Sequence, residues 1–76
     1  MKATPYFTNS VLARRPYITE AMCRDVIANA GRTEAQPDGR IRYYGYVESL
    51  GKWVRVVTLD DGETLHNAFA DRGFAP

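Results

Sequence analysis

Two dipeptides most constrain how this chain can fold: Asp38-Gly39 and Asp61-Gly62. Each suits a two-residue type I′ hairpin turn, which needs positive φ at both central positions. From Arg32 onward, apolar and polar residues alternate around these turns, which is the period of strands with one buried face. Glu48-Ser49-Leu50-Gly51-Lys52 lies between them and reads as a longer hairpin loop. The pattern predicts four strands, about Thr33–Gln36, Arg40–Val47, Trp53–Leu59 and Thr64–Ala70, paired in chain order as a meander. Pro37 fits an edge position, because it has no N–H to give to a ladder.

Before Arg32 the period is helical. Thr19 is a natural N-cap, and Glu20 follows in the first turn, where the helix dipole favours a negative charge. Met22, Val26, Ile27 and Ala30 fall at helical spacing, Ile18 and Cys23 extend their buried side, and Gly31 reads as a left-handed C-terminal cap. A shorter helix is predicted over Val11–Arg15, capped from Thr8, Asn9 or Ser10 and stopped by Pro16. Tyr6 and Phe7 read as a short edge strand, and Met1–Pro5 and Gly73–Pro76 as loosely held ends. The expected fold class is α+β: two N-terminal helices, the first one short, packed on one face of a three- or four-stranded antiparallel meander sheet. Residues 1–76 are expected to form a single domain, because a chain this short buries only about 60% of its unfolded surface and cannot be divided further.

Turn lengths set the register, and the register sets the faces. A two-residue Asp61-Gly62 turn puts Leu59 opposite Thr64, Val57 opposite His66 and Val54 opposite Phe69. The longer loop puts Glu48 opposite Trp53 and Tyr46 opposite Arg55, and Asp38-Gly39 puts Gln36 opposite Ile41. One face then collects Ile41, Tyr43, Val47, Val54, Val56, Leu65 and Phe69, the expected core. The other collects Arg42, Tyr44, Tyr46, Trp53, Arg55, Val57 and His66.

Three aromatic rings, two guanidinium groups and the only histidine on one outer face suit a nucleic acid, with cations on phosphates and rings on bases. The same composition also suits plain cross-strand stabilisation or a protein partner. His66 has the side chain that titrates nearest neutrality and is the candidate acid or base; Arg42 and Arg55 are candidates for holding a phosphate. Tyr44, Tyr46 and Trp53 are candidates for the nucleic-acid or partner face. Asp71 and Arg72 are expected at its rim or in a salt-bridged strand end. Cys23 reads as a small buried hydrophobe. One His and one Cys cannot close a structural zinc site, and the chain has no glycine-rich phosphate loop. No metal or cofactor is therefore expected.

The net charge is +1, against the basic excess usual in nonspecific polyanion binders. The single cysteine excludes an intramolecular disulfide. No apolar run reaches the roughly 18 residues of a membrane span, and no signal-peptide-like stretch opens the chain. These features point to a cytoplasmic location with no membrane partner.

Several segments together resemble the RelE/ParE/BrnT-like group of small bacterial proteins, and most closely an uncharacterised branch of it. They are Phe7-Thr8-Asn9-Ser10-Val11-Leu12-Ala13-Arg14-Arg15, Ile18-Thr19, the Gly-Arg-x-Arg-Tyr segment Gly39–Tyr43, Arg55-Val56-Val57-Thr58 and Ala70-Asp71-Arg72. The resemblance covers about residues 6–73. It implies a metal-free ribonuclease or RNA-binding protein of toxin–antitoxin type, with RNA and a small antitoxin-like protein as partners. Arg42, Arg55 and His66 would correspond to the group's sheet-borne site residues. The chain departs from the group in having Asn9-Ser10 where relatives often carry a histidine, and in being nearly neutral. The alternative from another class is a noncatalytic interaction module, docking a partner or forming a homodimer through the aromatic face.

Overall fold

The computed structural model describes residues 2–75. A π-helical segment, Phe7–Val11, runs directly into a short helix, α1 (Leu12–Arg14), and a second helix, α2, spans Glu20–Ala28. Four strands follow: β1 (Arg32–Ala35), β2 (Ile41–Val47), β3 (Lys52–Thr58) and β4 (Leu65–Ala70). They pair in the order β1-β2-β3-β4, each antiparallel to the next. The α+β meander with its helices N-terminal to the sheet is as expected. Among the described residues no helix is long and apolar enough to cross a membrane.

Thr19 caps α2: its Oγ1 accepts the Met22 N–H at 3.1 Å. The other end differs from the expectation. Asn29 closes the helix by donating its N–H to the Asp25 carbonyl, and Gly31 does not have a positive φ. Gly31 instead leads into β1, giving its N–H to Tyr44 O at 2.8 Å. The first helix also starts earlier than predicted. Tyr6 and Phe7 are helical rather than extended, and the cap is Thr4, whose hydroxyl accepts the Phe7 N–H at 3.1 Å. Pro5 follows at the first helical position, where a missing N–H costs nothing. Arg15, ahead of Pro16, leaves helical geometry as predicted.

The N-terminal end is tied down, contrary to the expectation of a loose start. Leu65 donates to Lys2 O at 3.0 Å and accepts from Thr4 N at 2.9 Å, while Ala3 bridges β4 in parallel. Met1 and Pro76 lie outside the described residues.

The Asp-Gly turns differ in kind from the prediction. No described non-glycine residue has positive φ, so neither turn is type I′. In each, the glycine alone is left-handed, Gly39 at φ 91° and Gly62 at φ 70°, and closes a turn begun three residues earlier, Gly39 on Gln36 O and Gly62 on Leu59 O. Between Gln36 and Arg40 this is the usual three-residue hairpin, a turn followed by a left-handed residue, whereas four residues separate Leu59 from Thr64. Each aspartate carboxylate accepts the N–H two residues on, Arg40 or Glu63.

The registers shift accordingly. Gln36 pairs with Arg40 and Ala35 with Ile41, one residue from the expected alignment. The β2–β3 loop is Glu48–Gly51, so Tyr46 lies opposite Trp53 and Tyr44 opposite Arg55. That slip is two residues, so every side chain keeps its expected face.

Leu59 does meet Thr64, with a 3.0 Å hydrogen bond. Further along, Thr58 pairs with Leu65 but Val57 pairs with Asn67, so His66 is an extra residue in a β-bulge. Beyond it the alternation is reversed. Val54 faces Ala70 rather than Phe69, and Phe69 lies opposite Arg55 on the outer face. Ala70 takes the place opposite Val54, and Ala68, fully buried, faces the core opposite Val56.

The core is Phe7, Val11, Ile18, Cys23, Val26, Val54, Val56, Leu65 and Ala68, between the helices and one face of the sheet. α2 lies directly on β2 at Gly45, where a β-carbon would stand 3.1 Å from Val26 Cγ1. Among the described residues Thr58 is the one buried polar residue, and its hydroxyl donates to Leu59 O at 2.9 Å.

Candidate functional site

The helices cover one face of the sheet; the site lies on the other. There the twisted strands make a concavity of about 610 Å³. Arg42 comes from β2, Arg55 and Val57 from β3, and Asn67 and Phe69 from β4. His66 enters from the bulge, Tyr6 from the first helical turn, and Gln36–Asp38 and Arg40 from the β1–β2 hairpin. The three residues predicted to carry chemistry, His66, Arg42 and Arg55, therefore line one space.

The His66 ring is fixed from behind. Its Nδ1 lies 3.0 Å from Thr4 Oγ1, the same hydroxyl that caps the first helix. With Nδ1 engaged, Nε2 is the nitrogen left for an outside group. Burial and the neighbouring Arg40 charge lower the imidazole's pKa, against a weaker opposing effect of Asp38. The neutral ring, the form that can accept a proton, is thus favoured further at neutral pH. Tyr6 leans over it with ring centres 5.3 Å apart.

The two arginines differ. Arg55 is held by Asp71, whose Oδ2 accepts from Nε at 3.2 Å and Nη2 at 2.8 Å, with both side chains largely buried. Its guanidinium also lies over the Phe69 ring at 4.5 Å and near the Tyr44 ring at 5.7 Å. The carboxylate that pairs with Arg55 thus comes from beyond β4, at the strand end expected for Asp71. Arg42 makes no ion pair among the described residues. Glu34, opposite it on β1, turns to Arg32 at 3.9 Å and to the Tyr44 hydroxyl at 3.3 Å. Arg40 meets Asp38 at 3.8 Å in an exposed pair, of a kind typically worth about 0–1 kcal/mol. Asp38 answers Arg40 and Asp71 answers Arg55, so among the described residues Arg42 supplies the excess positive charge of the concavity.

Tyr44, Tyr46 and Trp53 lie on the same sheet face but do not line this concavity. Phe74 folds back over two of them, stacked on Tyr44 at 4.4 Å and 13° and tilted against Trp53 at 4.8 Å. Tyr44 is consequently 5% exposed. Tyr46, edge-on to Trp53 at 5.7 Å, stays 53% exposed. The open aromatic face expected from the alternation is therefore half covered by the chain itself.

Sequence reasoning missed Tyr6, Arg40, Asn67 and Phe69 as site residues. Arg40 sits beside the Asp38-Gly39 turn, so the hairpin signal already located it. Phe69 had no local signal, because the bulge alone turns it outward. Cys23 is buried as expected, and burial pushes its thiol up to about 12, away from nucleophilic use.

No family model, curated protein or solved structure matches this chain.

Proposed function

We propose that the concavity binds a phosphodiester of single-stranded RNA and promotes its cleavage without a metal, as in a RelE/BrnT-like toxin-type protein. The observation that carries this is the convergence of Arg42, Arg55 and Arg40 with a histidine biased toward its neutral form. Arg42, unpaired among the described residues, meets a non-bridging phosphate oxygen, and Arg55 shares its charge between Asp71 and the phosphate. His66 Nε2 takes the proton of the ribose 2′-hydroxyl. The O2′–P bond forms and the P–O5′ bond breaks, leaving a 2′,3′-cyclic phosphate and a 5′-hydroxyl end that gains its proton from water. Tyr6 flanks the ring, where a base can stack. Such an activity calls for a neutralising partner, a small antitoxin-like protein, and for a cytoplasmic location.

Labelled RNA is incubated with EDTA and with the protein, His66→Ala or Arg42→Ala. The wild type is expected to release cyclic-phosphate ends, with a loss of about 10²-fold or more in His66→Ala. Identical patterns for wild type, both variants and buffer overturn the catalytic reading. A noncatalytic module docking a protein or a second copy through Tyr44, Tyr46 and Trp53 is the weaker reading, because Phe74 already occupies two of the three rings.

A further inference from the structure

The segment after β4 places two unlike groups on the sheet. Asp71 puts a carboxylate oxygen on the Arg55 fork at 2.8 and 3.2 Å. Phe74, three residues on, lays its ring nearly parallel to Tyr44 at 4.4 Å, against Trp53 at 4.8 Å and under the Arg32 guanidinium at 5.3 Å. One turn joins them. Asp71 Oδ1 accepts the Gly73 N–H at 3.0 Å, and the Phe74 N–H reaches Asp71 O at a long 3.4 Å. The two contacts adjoin, since Arg55 itself lies 5.7 Å from the centre of the Tyr44 ring. An anion on an arginine and a flat ring on an aromatic platform are what one nucleotide would offer here: phosphate and base.

We infer that Tyr44 and Trp53 form a nucleobase-stacking subsite that Phe74 occupies, with segment 71–74 standing in for a nucleotide of single-stranded RNA whose phosphate contacts Arg55. This rests on the RNA reading above and adds to it a base subsite and an internal competitor. The competitor is lightly held. Past the Asp71 N–H bond to Trp53 O at 2.9 Å, the segment makes no ladder hydrogen bond to the sheet, and Phe74 is only half-buried. Residues 72–74, with so few backbone ties beyond the Asp71 anchor on Arg55, open at low free energy. Two features argue for a displaceable cover over an ordinary core contact. The platform is polar at its edges, with the Tyr44 hydroxyl on Glu34 at 3.3 Å. It also lies on the sheet face opposite the core that the helices build.

The test measures binding of a short labelled single-stranded RNA, 2′-O-methylated so that it cannot be cleaved, and of its abasic counterpart. Both are titrated into the full chain and into Phe74→Ala. A site blocked part of the time binds more weakly by the fraction of time it is open, so Phe74→Ala is expected to tighten binding about five- to tenfold. The gain should vanish on the abasic strand. Trp53, the only tryptophan, should also change fluorescence when the base-bearing strand binds the unmutated protein. If Phe74→Ala does not fold, Phe74→Leu, which keeps apolar cover but not the stack, takes its place. Equal affinity of wild type and variant for the base-bearing strand overturns the subsite and leaves the RNA reading standing. An equal gain on the abasic strand overturns stacking in particular. Failure of every protein to bind either strand overturns both proposals together.

Discussion

Replacing Gly45 by alanine should destabilise the fold. Gly45 is buried in β2, opposite Val54, with α2 lying across it. Its φ is not in the positive range that only glycine favours, so the backbone itself accepts alanine. The obstacle is space: the new methyl would stand 3.1 Å from Val26 Cγ1 and 3.4 Å from both Val26 Cα and Cγ2. Two of those atoms are side chain, but one is helix backbone, so rotating Val26 does not clear the contact. Val26 is 3% exposed and packed into the core, and relief requires lifting α2. Forcing a methyl into such a site costs about 1–3 kcal/mol. Loss of glycine's freedom in the unfolded chain returns about 0.4–1 kcal/mol. Taking the middle of each range, the net is a destabilisation of about 1.3 kcal/mol, which for a domain this small lowers Tm by roughly 5–10 °C. Thermal unfolding followed by circular dichroism measures it. Val26→Ala in the Gly45→Ala background should cost less than Val26→Ala alone, a coupling of at least about 0.5 kcal/mol. An unchanged or raised Tm for Gly45→Ala, or strictly additive single changes, would refute the close packing of α2 on β2.

Stability should fall in acid in two stages. His66 is held below the ordinary imidazole range by burial and by Arg40, so the unfolded chain binds its proton more readily. That contribution is intact above about pH 6.5 and declines as pH falls below it, and thermal melts of His66→Ala should lack this stage. Asp61 is lowered to about 2 by bonds from the Thr64 hydroxyl and from the N–H groups of Thr64 and Glu63. Its contribution is present above about pH 4 and disappears toward pH 2, a stage that Asp61→Ala should lose. Cys23, fully buried and pushed up to about 12, should resist thiol reagents at pH 8 until the chain unfolds in urea. Labelling of the folded protein at the rate of a free thiol would contradict its place in the core. Arg42→Gln should weaken RNA binding and reduce the slope of log K against log salt by about 1; an unchanged slope would mean that Arg42 makes no phosphate contact.

What the sequence disclosed was local. Thr19 capping, the apolar face of α2 and the strand order all follow from neighbours along the chain, and all hold. The sheet faces of β2 and β3 held even though the loop was placed wrongly, because a slip of two residues preserves the alternation. Phe69 was misplaced because a bulge shifts the pairing by one, and the spacing of Leu65 and Phe69 conceals that shift. The early helix start is legible in Thr4-Pro5, an N-cap followed by a first-position proline, whereas Tyr6-Phe7 taken alone reads as extended. Pro37 before Asp38-Gly39 likewise marked an ordinary turn opened by proline rather than a mirror-image one. Most of the site is assembled from afar. His66 meets Thr4 across 62 positions and Arg55 meets Asp71 across 16, and no window along the chain contains either pair. Phe74 lies 21 positions from Trp53, and nothing nearby in the sequence marks it as the cover of that ring.

The bulge in β4 has a simple arithmetic. Leu65 pairs with Thr58 and Asn67 with Val57, so His66 is supernumerary: the ladder would close without it. Were residue 66 omitted, Leu65 and Ala68 would still point inward and Asn67 and Phe69 outward, in unbroken succession. Hydrogen bonding between strands therefore gives no reason for a residue there. The imidazole is an addition to an already complete ladder, tied from behind to the Thr4 hydroxyl and set among the residues that line the concavity.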